Sequence, residues 1–307
     1  MAKVGSLDVS RLCLGANVFG WTADRETSFA VLDGFVAAGG TMIDTADSYM
    51  WRVPGNSGGE SETIIGDWLA ERGNRDDVVV ATKVGSLPTR PGLSAANIRA
   101  ACEDSLRRLR TDRIDLYWAH KDDPDTAQEE TLAAFDALVR AGSVREIGAS
   151  NFSADRLRSA LALSAGSASY VAAQPHYNLV ERKGFETGLA PLLAAEGIAC
   201  LPYYALAKGF LTGKYRADGP DVRSVRAEGA RAYLDDRGLA VLAVLDDLSA
   251  AHGVSPAAVA LAWLAAQPTV AAPIASARTP EQLADLLPAL ALELRDDELA
   301  RLTAASS

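Results

Sequence analysis

Residues 78–120 read VVVATKVGSLPTRPGLSAANIRAACEDSLRRLRTDRIDLYWAH and contain the unit from which the whole chain is built. Two short apolar runs, 78–83 and 114–120, flank an Ala/Leu/Arg segment of helical period at 95–110, with Ser94 positioned as its N-cap. The runs are apolar nearly throughout, the pattern of strands buried on both faces. The segment therefore reads as a βαβ unit of parallel sheet.

The same alternation extends in both directions. Further strands are expected at 12–14, 41–45, 146–150, 170–174, 198–203 and 271–274. Helices are expected at 25–38, 60–71, 129–140, 153–163, 185–194, 239–251 with 256–266, and 280–287. Gly39-Gly40, Gly142 and Gly197 fall where helices must stop, and Ser153 precedes a helix as a cap. Eight strands over 307 residues favour an α/β fold of the closed (β/α)8 TIM barrel type over an open doubly wound sheet. No Pro- or Ser-rich linker divides residues 1–307, so one domain is the simplest account. Residues 205–228 show no clean period, and a loop that long is expected to serve as a lid or cofactor clamp.

Composition narrows the function. Hydrophobic residues make up 49% and charged residues 23%, the balance of an ordinary globular protein. Forty acidic against thirty basic side chains give −10 with no basic run, which opposes a nucleic-acid or anionic-membrane surface. Cys13, Cys102 and Cys200 are far apart with no CxxC pair, so neither a disulfide framework nor a zinc site is expected. A reducing cytoplasm is the expected location, since MAKVGSLDVSRLCLG lacks a signal peptide's apolar segment and no run approaches the ~18 apolar residues of a membrane span. Oligomeric state is left open.

Barrel active sites gather at the carboxyl ends of the strands. Asp44 ends Thr-Met-Ile-Asp, Tyr49 follows in the loop, Lys83 ends Val-Val-Val-Ala-Thr-Lys, and His120 ends Asp-Leu-Tyr-Trp-Ala-His. Singly, each has a structural reading: a turn cap, a rim aromatic, a strand-end charge. Jointly they form a proton-donating device. A phenol is a weak acid with a pKa near ~10, and the Lys83 ammonium is expected to lower that value while Asp44 holds Lys83 in place. His120 would orient the substrate oxygen. His252 reads as a helix C-terminal residue and His176 as a loop residue.

Several segments, in order, resemble the aldo-keto reductase family: IDTADSY (43–49), GGESETIIGDWL (58–69), ATKVG (81–85), LYWAH (116–120), GSVREIGASNF (142–152), QPHYNLVER (174–182), GFLTGKY (209–215) and PIASARTPEQL (273–283). The resemblance covers essentially the whole chain. It implies a nicotinamide-dependent carbonyl reductase on a (β/α)8 barrel, using NADP(H) in preference to NAD(H), with Asp44, Tyr49, Lys83 and His120 as the tetrad. It also implies that Ser150, Asn151 and Gln174 hold the nicotinamide amide and that Tyr203 stacks on its ring. Where the family often has Ser-Pro-Leu, this chain has Tyr204-Ala205-Leu206, with Leu206 matching a pyrophosphate contact. At the adenosine end the resemblance assigns Ser276, Arg278, Gln282 and Asp285, with Arg278 on the 2′-phosphate. Ser276 stands where Gly is common, and Leu286 where an Asn often follows the acidic residue.

Phe19, Trp21, Trp51 and Trp118 are expected to wall an apolar pocket for a small carbonyl or alcohol substrate, with core packing the alternative for Trp118, which shares the inward face of His120's strand. Two other readings of the same fold are a cofactor-binding regulatory subunit resembling potassium-channel β subunits, and a lyase with Lys83 as Schiff-base nucleophile. The intact tetrad argues against the first, and Asp44 beside Lys83 against the second.

Overall fold

The computed structural model describes residues 1–216, 219 and 224–307. Cys13–Gly15, Met42–Asp44, Val79–Val84, Ile114–Ala119, Val144–Ser150, Tyr170–Gln174 and Ala199–Cys200 lie side by side in chain order, all parallel, and Ile274–Ala275 pairs with the first of them. The ring closes where Ala271 N donates to Cys200 O at 2.9 Å and Ile274 N to Pro202 O at 2.9 Å. The fold is a (β/α)8 barrel. Every residue of Val79–Val84 and of Ile114–Ala119 is buried, because one face packs into the barrel and the other under helices.

Two apolar regions follow from that geometry. Met42, Val79, Ala81, Leu116, Trp118, Ala172 and Leu201 pack together with Val4, Leu7 and Val9, which come from a hairpin of Ala2–Val4 and Leu7–Val9. This hairpin stops the amino-terminal end of the barrel, leaving the carboxyl end for a site. A larger cluster, including Phe19, Phe35, Trp68, Phe135 and Trp263, lies between the strands and the helices.

Ser94, Ser153, Ser255 and Asp24 cap their helices by accepting from the backbone N–H three residues on. Gly197 ends its helix at φ 65°, a left-handed conformation that disfavours other residues.

The expected segments differ from the observed ones mainly at their ends. The run at 198–203 yields only the strand Ala199–Cys200, although Leu201 N and Tyr203 N still donate to Ala173 O and Pro175 O at 2.9 Å and carry the pairing on toward the site. The helix expected at 185–194 begins as a π turn over Phe185–Leu189 before Ala190–Glu196. The amino-terminal hairpin and the final helix, Asp296–Ala305, were not read from periodicity. Within 205–228 the described part holds a 3-10 segment, Ala207–Thr212, and the start of Ala227–Arg231, while 217, 218 and 220–223 lie outside the described residues. Among the described residues no single helix is long and apolar enough to cross a membrane.

Candidate active site

The second and third barrel strands are in register with Asp44 opposite Ala81, so Asp44 and Lys83 end adjacent strands at the same mouth. Their side chains meet there. Lys83 Nζ bonds to Asp44 Oδ2, to Thr45 O at 2.7 Å and to the Tyr49 hydroxyl oxygen at 2.7 Å. Three acceptors satisfy all three ammonium protons, which a cation with no exposed surface requires. Asp44 is held from its other side by Gln174, whose Nε2 donates to Oδ1 at 3.1 Å.

Tyr49 and His120 face each other edge to face with ring centroids 6.0 Å apart. The Ser48 hydroxyl lies 3.3 Å from His120 Nδ1. Asn151 Nδ2 donates to His120 O at 2.9 Å and to Ser150 Oγ at 3.0 Å, Ser150 donates to Gln174 O at 3.1 Å, and the Tyr203 hydroxyl donates to Asn151 Oδ1 at 2.8 Å. The ends of strands two to seven are thus tied into one hydrogen-bonded layer.

The electrostatics correct one expectation. Burial, and after it the Asp44 carboxylate, push the Tyr49 phenol well above its ordinary value, so Lys83 does not make it unusually acidic in the free protein. Lys83 itself is lowered by burial, opposed by Asp44. Burial and the Lys83 charge bring His120 down to about 3, so its imidazole is neutral across the physiological range.

These side chains open onto a cavity of about 800 Å³. Asp44, Tyr49, His120, Ser150, Asn151, Gln174 and Tyr203 line one end. Leu206, Ser276, Arg278, Gln282 and Asp285 line the other, and Lys83 lies just beneath the floor. Gly15 makes room between the two: a Cβ there would meet Ser276 Oγ at 2.7 Å. Ser276 instead donates to Asn17 Oδ1 at 2.9 Å, so a serine is accommodated where glycine was the expected residue.

Of the four aromatics expected in a substrate pocket, only Trp21 lines this cavity. Phe19 is fully buried between barrel and helices. Trp118 is fully buried in the barrel interior, against Gly148, where a Cβ would come within 2.4 Å of its ring. Its place on the inward face was read correctly, but the layer it occupies is packed below the mouth. Trp51 is 36% exposed beneath Arg52 and outside the lining.

Other lining residues had no signal in the periodicity. Lys208, Lys214 and Arg226 join Arg278 around the cavity, and among the described residues none of these four side chains has a hydrogen bond or a carboxylate partner. Lys214 is lowered by burial and then by Arg278 and Arg226, the mark of crowded like charges. Such a cluster fits a polyanionic ligand, and the strip from the strand-end layer to Arg278 fits a nicotinamide dinucleotide lying with its phosphates among these cations.

Asp47, in the loop after the second strand, is 1% exposed, and among the described residues neither carboxylate oxygen finds a hydrogen-bond partner. Burial and then Glu62 raise it to about 7, opposed by Arg108 and Arg90. A carboxyl raised in the folded state binds more protons there than when unfolded, so it contributes most favourably in acid and costs stability as pH rises from about 4 to 7. Asp47→Asn is expected to stabilise the protein, by about 2–3 kcal/mol more at pH 8 than at pH 5. Urea unfolding at the two pH values checks this, and an equal effect at both would contradict it.

The model of the aldo/keto reductase family matches residues 11–307. The uncharacterized oxidoreductase YrpG of Bacillus subtilis is 38% identical, over 96% of this chain and 91% of its own. Protein tas of Escherichia coli is 34% identical over 97% and 94%, and norsolorinic acid reductase stcV of Emericella nidulans 34% over 97% and 79%. The chain belongs to the aldo/keto reductase family and is an NAD(P)H-dependent oxidoreductase.

Proposed function

We propose that the protein reduces an aldehyde or ketone to the alcohol with NADPH, reversibly, and that Tyr49 is the proton donor. The observation that carries this reading is the chain of contacts Asp44–Lys83–Tyr49, ending on a phenol that faces His120 in the cavity. When bound, the nicotinamide cofactor supplies the hydride. The chain's own residues do the rest. With the Ser48 hydroxyl on its Nδ1, neutral His120 keeps Nε2–H as a donor for a carbonyl oxygen. As negative charge grows on that oxygen it draws the proton from Tyr49, and the Lys83 ammonium, donating at 2.7 Å, stabilises the phenolate left behind. Ser150, Asn151 and Gln174 would hold the carboxamide and Tyr203 the ring face.

His120→Ala is expected to lower kcat/KM for carbonyl reduction by about 10- to 100-fold. His252→Ala should barely alter it, because His252 bonds Glu298 at 2.9 Å outside the cavity lining. Equal losses in two folded variants would place the chemistry elsewhere.

The four cations, which have no carboxylate partner among the described residues, support a preference for NADPH, since its 2′-phosphate is the charge that NADH lacks. Arg278→Ala is expected to weaken NADPH binding by about 1–3 kcal/mol and NADH binding hardly at all. Fluorescence titration of both cofactors tests it: equal losses would mean that Arg278 supports the loop without reading the phosphate.

A further inference from the structure

Ser48 sits in the turn between Asp44 and Tyr49, yet it does not line the cavity and is only 6% exposed. The turn is built without its side chain. Asp47 N donates to Lys83 O at 3.3 Å, Tyr49 N to Ala46 O at 3.4 Å, and Lys83 Nζ to Thr45 O at 2.7 Å. Gly58 packs against the same turn, where a Cβ would meet Asp47 O at 2.7 Å. The Ser48 hydroxyl is spare for another use, and the one group it reaches among the described residues is His120 Nδ1 at 3.3 Å.

His120 is anchored through its backbone, with its N donating to Val84 O at 2.9 Å and its O accepting from Asn151 Nδ2 at 2.9 Å. The ring needs an anchor of its own. Tyr49 lies edge to face with it at 6.0 Å between centroids, but a ring contact does not choose between the two nitrogens. A neutral imidazole carries one N–H and one bare nitrogen, and the hydrogen bond made at one decides what the other offers. Were Nδ1 protonated, it would donate to Ser48, and the buried serine proton would need a different acceptor. Asp47, its neighbour in the chain, is the rival acceptor, but among the described residues neither of its oxygens has a hydrogen-bond partner. Ser48 accordingly donates to Nδ1, and the ring proton stays on Nε2.

We propose that Ser48 is a positioning residue that fixes the Nε2–H tautomer and the orientation of His120, so that a single turn sets both the proton donor and the imidazole that receives the carbonyl oxygen. This rests on the reading of Tyr49 and His120 in carbonyl reduction, and adds to it a hydroxyl outside the cavity that controls what His120 offers.

The test follows the imidazole directly. The NADP⁺-loaded protein, labelled with ¹⁵N-histidine, contains three histidines, and the His120 signals are those lost in His120→Ala. In wild type, long-range ¹H–¹⁵N spectra should show Nε2 protonated and Nδ1 bare, at pH 6 and pH 8 alike. In Ser48→Ala both ring nitrogens should shift toward a mixture of tautomers, and Ser48→Thr, which keeps the hydroxyl, should retain the wild-type pattern. With benzaldehyde and NADPH, kcat is expected to fall about 3- to 10-fold in Ser48→Ala, with NADPH affinity unchanged, and to be restored in Ser48→Thr. A wild-type His120 protonated on Nδ1 at either pH would overturn the proposal, because Asp47 would then be taking the serine proton. Unchanged nitrogen signals in Ser48→Ala would overturn it too, as would equal losses of kcat in Ser48→Ala and Ser48→Thr, which assign the effect to packing. A wild type that does not reduce benzaldehyde, with the tautomer still following the Ser48 hydroxyl, would overturn the reductase reading and leave the positioning of His120.

Discussion

Tyr49→Phe is expected to lower carbonyl reduction by about 10²–10⁴-fold while NADPH binds as in wild type. The substitution removes one oxygen. It deletes the hydroxyl that accepts from Lys83 Nζ at 2.7 Å and donates to Asp44 Oδ2 at 3.4 Å, and leaves the ring, its contact with His120 and the Ser150–Gln174 layer in place. The pH dependence of the wild type belongs to the same argument. Tyr49 lies above its ordinary value and His120 near 3, so in the free protein the donor stays protonated and the imidazole neutral over roughly pH 5 to 9. Reduction, which needs the protonated phenol, should be flat there and decline only in alkali. Oxidation, which needs the phenolate, should rise with pH. An acid limb near pH 6 to 7 in reduction would mean that a group other than His120 controls the rate, either another imidazole or the Asp47 carboxyl raised to about 7.

Lys83→Met should have an effect of comparable size for two separable reasons. Asp44 is 1% exposed, so removing its cation leaves a buried carboxylate uncompensated, at a cost of about 3–5 kcal/mol. The phenol also loses the ammonium that donates to it, so the phenolate formed on proton transfer is no longer stabilised by that charge. The double variant Lys83→Met with Asp44→Asn distinguishes these effects. Urea unfolding should recover most of the lost stability because no unpaired charge remains, whereas carbonyl reduction should stay as low as in Lys83→Met. Activity returning with stability would mean that Lys83 only supports the fold.

The barrel was legible because both of its determinants are local. Strands such as Val79–Val84 are buried on two faces and so are apolar nearly throughout, and the helices between them keep a polar face that sets the period. The strand-end acid, ammonium and imidazole were legible for a related reason: each closes an apolar run, the phenol follows in the loop after the first of them, and the fold brings such ends together. Other features depend on contacts distant in sequence. The Phe19 and Trp118 rings are buried by neighbours the sequence does not name, and Trp51 is left 36% exposed against Arg52. The raised Tyr49 phenol was missed because burial, which a sequence does not display, outweighs the neighbouring cation. Lys208, Lys214 and Arg226 come from a stretch without period, so their convergence on Arg278 is a property of the folded loop.

The most direct measurement is a single-turnover reduction of an aryl aldehyde by NADPH deuterated at the transferable C4 position, comparing wild type with Tyr49→Phe at matched cofactor occupancy. Wild type should yield an alcohol carrying one deuterium at the former carbonyl carbon, and Tyr49→Phe should form the same product at least about 10²-fold more slowly. A Tyr49→Phe rate within a few-fold of wild type, or an alcohol without the label, would contradict the assignment of Tyr49 as proton donor in a carbonyl reductase.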